Sequence, residues 1–354
     1  MCQKLYFRLL LGGIILFGAF ACSDDKPKES FTEIFNVEGE LFISGDSLKD
    51  PSLVKIINNY LIIGNDKGSP LIELYDTQSG NKKASFLTIG NGPNEFLCIG
   101  NIQPIPQRGE IFIQDLFTKK LVKYNLLEIL DDQTTPYEVI FQVEEDSGLL
   151  ASKIAKSQNG IIIGSADPKG RIILLDDDGN VLTYFGQYPS KDLVDPDLTE
   201  LLNAKLYGSA ITVNPSMNKV ALATYGAGML DLFDITDDNV IKPIWSYQGF
   251  YPVGIKIIPM AGQFVVAHTN NARNGFTGIC STEKYVYAVF SGKKLEDKSY
   301  PYGDMVYVVS WDGKESYKFK LDREVNRLVV DHNDGVMYGI TSELDIYRFR
   351  TIKK

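Results

Sequence analysis

Leu71-Ile-Glu-Leu-Tyr-Asp76, Leu121-Val-Lys-Tyr-Asn125, Arg171-Ile-Ile-Leu-Leu-Asp176, Met229-Leu-Asp-Leu-Phe-Asp234 and Met305-Val-Tyr-Val-Val-Ser310 are versions of one pattern. Each is a short run of aliphatic and aromatic residues, most closing on a step of the Tyr/Phe-Asp/Asn type. A sixth, Glu343-Leu-Asp-Ile-Tyr-Arg348, ends the series. Such runs, cut by Gly, Asn and Asp turns, read as β-strands. Before each comes an inner strand, a turn and a middle strand, such as Tyr60–Ile63, Gly160–Ile163 or Tyr285–Phe290. After several comes a turn and a fourth strand, as in Asp178-Gly-Asn-Val-Leu-Thr-Tyr-Phe185. The units start near Leu53, Ile99, Ala151, Tyr207, Phe276 and Glu324. Four-stranded units repeating on the order of every fifty residues are what a β-propeller requires.

The expected fold is therefore all-β, a six-bladed β-propeller over residues 31–354. The last unit has room for three strands. The missing one is expected in Phe31–Phe35 or Glu40–Ile43, so that the N-terminal segment closes the last blade and leaves no open edge. Truncating residues 31–44 should then abolish cooperative folding. One inserted helix is expected at 196–204, capped by Asp195 with Pro196 at the first helical position. Leu198, Leu201 and Leu202 would form its buried face. The segment 251–275 reads as an insertion ahead of the fifth unit.

The N-terminus reads as an export leader. Lys4 and Arg8 precede an uncharged run from Leu9 to Ala21. That run is shorter than the roughly 20 residues a spanning helix needs. Ala19-Phe20-Ala21 precede Cys22, which is the expected lipid attachment point of a lipoprotein, with residues 1–21 removed. The alternative is an ordinary leader cut elsewhere. Residues 22–30 are polar and aperiodic, a flexible tether. Their start, Ser23-Asp24-Asp25, resembles the signal that sends lipoproteins of the Bacteroidetes to the outer face of the outer membrane. The expected location is thus an outer-membrane lipoprotein exposed at the cell surface, with a periplasm-facing one as the alternative.

The chain carries 36 Lys+Arg against 45 Asp+Glu, a net charge of −9. That balance argues against a nucleic-acid partner, which needs basic patches to neutralise phosphate. Of 4 cysteines, Cys2 leaves with the leader and Cys22 takes lipid. Cys98 and Cys280 fall in opposite blades and are expected as buried free thiols. No Cys/His cluster has zinc-site spacing, so no metal and no cofactor is expected. Gly90-Asn-Gly-Pro-Asn-Glu-Phe96 lacks the Lys-Ser/Thr of a phosphate loop. It reads as a blade connector, with glycines that permit positive φ, Pro93 stiffening the bend, Phe96 as a plug and Glu95 accepting backbone N–H groups. Asp176-Asp-Asp-Gly-Asn180 reads as a hairpin turn rather than a calcium loop. Asp331–Gly335, with His332, reads as another turn.

With these segments in view, the chain resembles the TolB-like six-bladed propeller lipoproteins of the Bacteroidetes. The likeness rests on Gly90–Phe96, on Tyr207–Pro215 running into Ala221–Tyr225, and on Ile279–Gly292. The resemblance implies a fold and little about activity, because one fold hosts many functions.

His268, Asn270, Asn271 and Arg273 precede the fifth inner strand, where loops are expected to rim the channel mouth. They are the candidate ligand-binding residues; no catalytic residue is assigned. The expected function is a non-enzymatic binding or scaffolding module with a glycan, peptide or envelope protein as ligand. The alternative is a hydrolase or lyase at the channel mouth, drawing metal ligands from Asp115, Asn101, Asn214, His268 and Asn326. A purely structural partner of an outer-membrane transporter is a third possibility.

Overall fold

Ile161, Ile162 and Ile163 leave a strand no polar face, and all three are fully buried. A strand apolar on both faces needs cover on both. A computed structural model shows how the chain supplies it. The structure describes residues 31–131, 136–144, 147–260 and 263–351. The expected leader at 1–21, Cys22 and the expected tether at 22–30 lie outside the described residues. Six sheets, each with four antiparallel radial strands, stand around a channel, and each packs on its two neighbours.

Blade 1 comprises Pro51–Ile57, Tyr60–Asn65, Ile72–Asp76 and Lys82–Phe86, from the channel outward. Blade 2 comprises Ile99–Ile105, Glu110–Asp115, Lys120–Asn125 and Tyr137–Gln142. Blade 3 runs Ala151–Ser157, Gly160–Asp167, Gly170–Leu175 and Val181–Phe185. Blade 4 runs Ser209–Val213, Lys219–Thr224, Met229–Ile235 and Ile241–Gln248. Blade 5 holds Phe276–Ser281, Tyr285–Phe290, Gly303–Ser310 and Ser316–Val325. Blade 6 takes Arg327–Val330, Val336–Ile340 and Ile346–Arg350 from the C-terminus, and its outer strand, Gly39–Ile43, from the N-terminus. The inner strands touch in ring order, and that of blade 6 returns to that of blade 1. There is no single core. Apolar layers lie between blades, such as Ile62, Ile72, Ile111 and Val122 between blades 1 and 2, or Val54, Leu61, Val329 and Ile340 between 6 and 1.

The recurring Asp/Asn at the end of the third strands has a local cause. Asp76 accepts the Gln78 and Ser79 N–H groups, Asn125 accepts that of Leu127 and Asp176 that of Asn180. These are Asx turns, in which the side chain ends the strand and starts the next bend. Asp176–Asn180 is thus the expected hairpin turn, with Gly179 at φ +87.

Several expectations need correction. The N-terminal segment serves two blades. Gly39–Ile43 closes blade 6, but Ile34–Val37 adds a fifth strand to blade 5, parallel to Ser316–Val325. Phe31 then anchors the segment edge-on to Trp245, Tyr247 and Tyr307, so thirteen residues bind three blades. The described residues hold two α-helices rather than one, α1 at Leu126–Asp131 and α2 at Glu200–Leu206. The cap of α2 is Thr199, whose Oγ1 accepts the Leu202 N–H, so the helix starts later than Pro196. Its buried face is Leu202 and Leu206, continued by Leu198, while Leu201 is exposed. A hairpin of Ile255–Met260 and Gln263–His268 fills the insertion before blade 5.

Candidate functional site

Inner strands present every second side chain to the channel, so the channel wall is set residue by residue. Three amides on blade 2 face blade 3. Gln103 gives its Nε2 to the Lys156 carbonyl at 2.8 Å and accepts the Lys156 N–H at 2.7 Å. Gln114 accepts the Ile154 N–H at 2.9 Å, and Asn101 donates to the Ile154 carbonyl at 3.1 Å. A side-chain amide carries the same donor and acceptor as a peptide group, so these residues extend the ladder from one sheet to the next.

Among the described residues, cavities open at both mouths of the channel. At the downstream mouth, where the inner strands end, a cavity of about 130 Å³ is walled by Gln103, Thr212, Cys280, Ser281 and Val329, with His332 at its edge. Gln107 of blade 2 donates to Glu283 of blade 5 at 3.0 Å, and Ser216 of blade 4 donates to the same carboxylate at 2.8 Å. Blades 2 and 5 are opposite, so this pair bars the mouth.

At the upstream mouth a cavity of about 50 Å³ is walled by Lys55, Asn101, Lys153, Tyr225, Thr277 and Arg327. These residues come from blades 1, 2, 3, 4, 5 and 6 in turn. Lys153 Nζ donates to the Gly100 carbonyl at 2.6 Å and Lys55 Nζ to that of Ile279 at 3.4 Å. The Arg327 guanidinium donates to the Thr277 and Asn326 carbonyls. Burial pushes the Lys153 ammonium down to about 8, helped by Arg327 and Lys55. Lys55 is lowered chiefly by burial as well.

His268, Asn270, Asn271 and Arg273 line neither cavity. His268 ends the inserted hairpin and borders an outer groove beside Leu202 and Leu206 of α2. Asn271 accepts from Lys294 at 3.4 Å, and Arg273 pairs with Lys294 in an isolated bridge. All four side chains are exposed. The insertion carries them outside the ring, which corrects the expectation that they rim the channel.

The proposed metal ligands do not converge. Asp115 is fully buried and accepts the Leu97, Phe117 and Thr118 N–H groups. Asn214 accepts the Asn218 and Lys219 N–H groups within its own turn. Asn101 is taken by the blade stitch. Among the described residues no three His, Cys, Asp or Glu side chains cluster as metal ligands. Cys280 is buried and Cys98 half-buried, both as free thiols. Burial holds the Cys280 thiol up at about 12 and raises that of Cys98, which makes both poor nucleophiles.

The connector Gly90–Phe96 is built as expected in part. Glu95 accepts the Gly92 N–H at 2.7 Å, and Phe96 is fully buried beneath Lys120. The glycines do not take positive φ. A methyl at Gly90 would instead fall 2.0 Å from the Glu95 carboxylate.

The ring has five blades of four strands and one of five, closed by an N-terminal strand, and the sequence profile described as TolB-like 6-blade propeller-like matches residues 26–333. The chain belongs to the TolB-like six-blade propeller family. Among solved structures, this TolB-like propeller is similar to a protein of Bacteroides fragilis NCTC 9343 described as exported. The identity is 13%, the alignment covers 91% of this chain and 99% of that one, and the TM-score is 0.51. It is also similar to the β-propeller domain of Cps50 (Swd1) from Myceliophteria thermophila, at 9% identity over 89% and 100% of the two chains and a TM-score of 0.49. No curated protein matches the sequence. At these identities the structural likeness concerns the fold alone.

Proposed function

We propose that this TolB-like propeller is a non-enzymatic binding module of the cell envelope, anchored by lipid on Cys22, that takes its ligand at the upstream mouth of the channel. The observation that carries the reading is the wall of that mouth, where all six blades contribute a hydrogen-bonding side chain to one cavity. Concave sites with a few convergent polar groups are where small ligands bind. The alternative, hydrolysis at a channel metal, needs ligands converging from several blades, and Asp115, Asn101 and Asn214 are held in hydrogen bonds of the fold while His268 lies outside the ring. The envelope location draws support from the leader, from Cys22 and from the exported description of the Bacteroides fragilis neighbour. Surface display rests on Ser23-Asp24-Asp25. The ligand is a glycan, a peptide or a group on an envelope protein, and the exposed His268, Asn270, Asn271 and Arg273 supply outer contacts to a ligand larger than the mouth.

Calorimetry on residues 22–354, run against a panel of neutral and acidic sugars and short peptides, tests the binding role. Saturable binding with no product by mass spectrometry supports it; turnover of a lactone, ester or glycan in the same panel overturns it. Metabolic labelling with a fatty acid should mark the wild-type chain and leave Cys22→Ala unmarked.

A further inference from the structure

Lys55, Lys153 and Arg327 stand in one small cavity, and among the described residues none of them pairs with a carboxylate. Among the described residues their hydrogen-bond partners are main-chain carbonyls. The deeply buried Arg171, by contrast, meets Asp231 at 2.7 Å. The net charge of −9 makes the concentration of unpaired positive charge more pointed. Three like charges in a low-dielectric cleft repel one another, and each loses hydration.

The neutral groups of the mouth face the same way chemically. Thr277 is 4% exposed, and its hydroxyl has no hydrogen-bond partner. Tyr225 borders the cavity, and its hydroxyl donates to no described residue. Both hydroxyls are able to donate. Glu283, the carboxylate that borders the channel, lies at the other mouth. Asp66, which acts on Lys153 from the exposed rim, is the acidic group felt here. A cavity of about 50 Å³ exceeds the roughly 10–15 Å³ one water needs, so it has room for a group of a few non-hydrogen atoms.

We propose that the upstream mouth is an anion site, in which Lys55, Lys153 and Arg327 clasp a carboxylate or oxyanion and Thr277 and Tyr225 complete its hydrogen bonds. The proposal rests on the binding-module reading and narrows its ligand to an acidic one. The planar fork of Arg327 suits two oxygens of one carboxylate, and the lysines act as point charges beside it. The acid is either a free small anion or the acidic end of a longer envelope molecule.

The test uses probes that differ only in charge: galacturonate against galactose, N-acetyl-dialanine against its amide, and inorganic sulfate and phosphate for the free-anion arm. Binding is measured by calorimetry at low and moderate salt. Each acid is expected to bind, its neutral partner to bind at least about tenfold more weakly, and salt to weaken the acid. Sulfate or phosphate matching the organic acids assigns a free oxyanion; tighter organic acids assign the acidic end of a larger ligand. Lys153→Met and Arg327→Gln should each weaken the acid at least about tenfold while leaving the melting temperature at or above wild type, because each removes an unpaired cation. Equal binding of acid and neutral partner overturns the anion site, as does unchanged affinity in both variants. If the acids fail and a neutral sugar or peptide binds, the anion site falls and the binding module stands. If nothing in either panel binds, both fall.

Discussion

Lys153 shows what the channel does to a single residue. Burial first, and then Arg327 and Lys55, push its ammonium down to about 8, while Cys98 and Asp66 act the other way. The sign of the stability effect follows. Below about pH 8 the lysine is charged in both the folded and the unfolded chain, and the fold bears the whole penalty. Between about 8 and the ordinary lysine value near 10.4 the folded lysine has lost its proton and the unfolded one has kept it. Stability attributable to this group therefore rises with pH across that window. Chemical denaturation at about pH 7.5 and about pH 8.8, below the unfolded tyrosine value near 10 at which the buried tyrosines begin to cost stability, should show the rise in wild type and a smaller one in Lys153→Met. Identical pH slopes would show that Lys153 is not the source. An anion in the mouth should also flatten the wild-type slope. None of this was legible in sequence. Lys55, Lys153 and Arg327 sit in separate repeats, each beside apolar residues, as a surface strand would present them. The signal available was a basic residue within an inner strand, and it becomes informative only once the ring brings three together. His268, Asn270, Asn271 and Arg273 stand out in the sequence by local polarity alone, and an inserted hairpin carries them out of the ring.

Between elements, the blades are joined by two kinds of contact. Apolar layers do most of the packing, and a few polar links fix the register of one sheet against the next. The link between blades 3 and 4 is an ion pair. Arg171, 4% exposed, donates to Asp231 at 2.7 Å and to Thr224 at 3.0 Å. Ser246 donates to the other Asp231 oxygen at 2.7 Å. Breaking one side leaves a buried charge without its partner, so Arg171→Ala or Asp231→Ala is expected to cost about 3–5 kcal/mol in urea unfolding. Replacing both with apolar residues of similar volume should cost much less. If both designs cost the same, the pair contributes packing rather than charge compensation. Elements were read well from sequence where their signal was local. The inner strands begin within a few residues of the expected positions, because turn residues and apolar runs punctuate the chain directly. Two elements escaped. Leu126–Asp131 is a helix one turn and a half long, started by Asn125, whose side chain could as well have ended a strand. Ile34–Val37 joined blade 5 rather than blade 6, a choice made by the free edge of Ser316–Val325 and invisible in the four residues themselves.

For the whole molecule, the ring is closed at one place. Gly39–Ile43 pairs with Ile346–Arg350, and Arg348 donates to Glu40 at 2.8 Å. The preceding residues also cover the outer edge of blade 5, and Phe31 packs where blades 4 and 5 meet. A chain lacking residues 31–43 exposes two sheet edges and empties an aromatic pocket. It is expected to lose its sharp calorimetric transition and to associate through the bare edges. A deletion variant that still melts in one transition as a monomer would show that the other blades hold the ring without the strap.

That closure also sets an order in time. The strand that completes blade 6 is among the first parts of the domain to be made, and its partner is among the last. Contacts between chain ends pay loop entropy before they return any stabilisation, which slows folding. Blades 1 to 5 draw their four radial strands from continuous segments and can form while the N-terminal strand waits unpaired. Closing the ring is then the late, slow event. Until it happens, the outer edge of Ile346–Arg350 stays open to any strand that reaches it first.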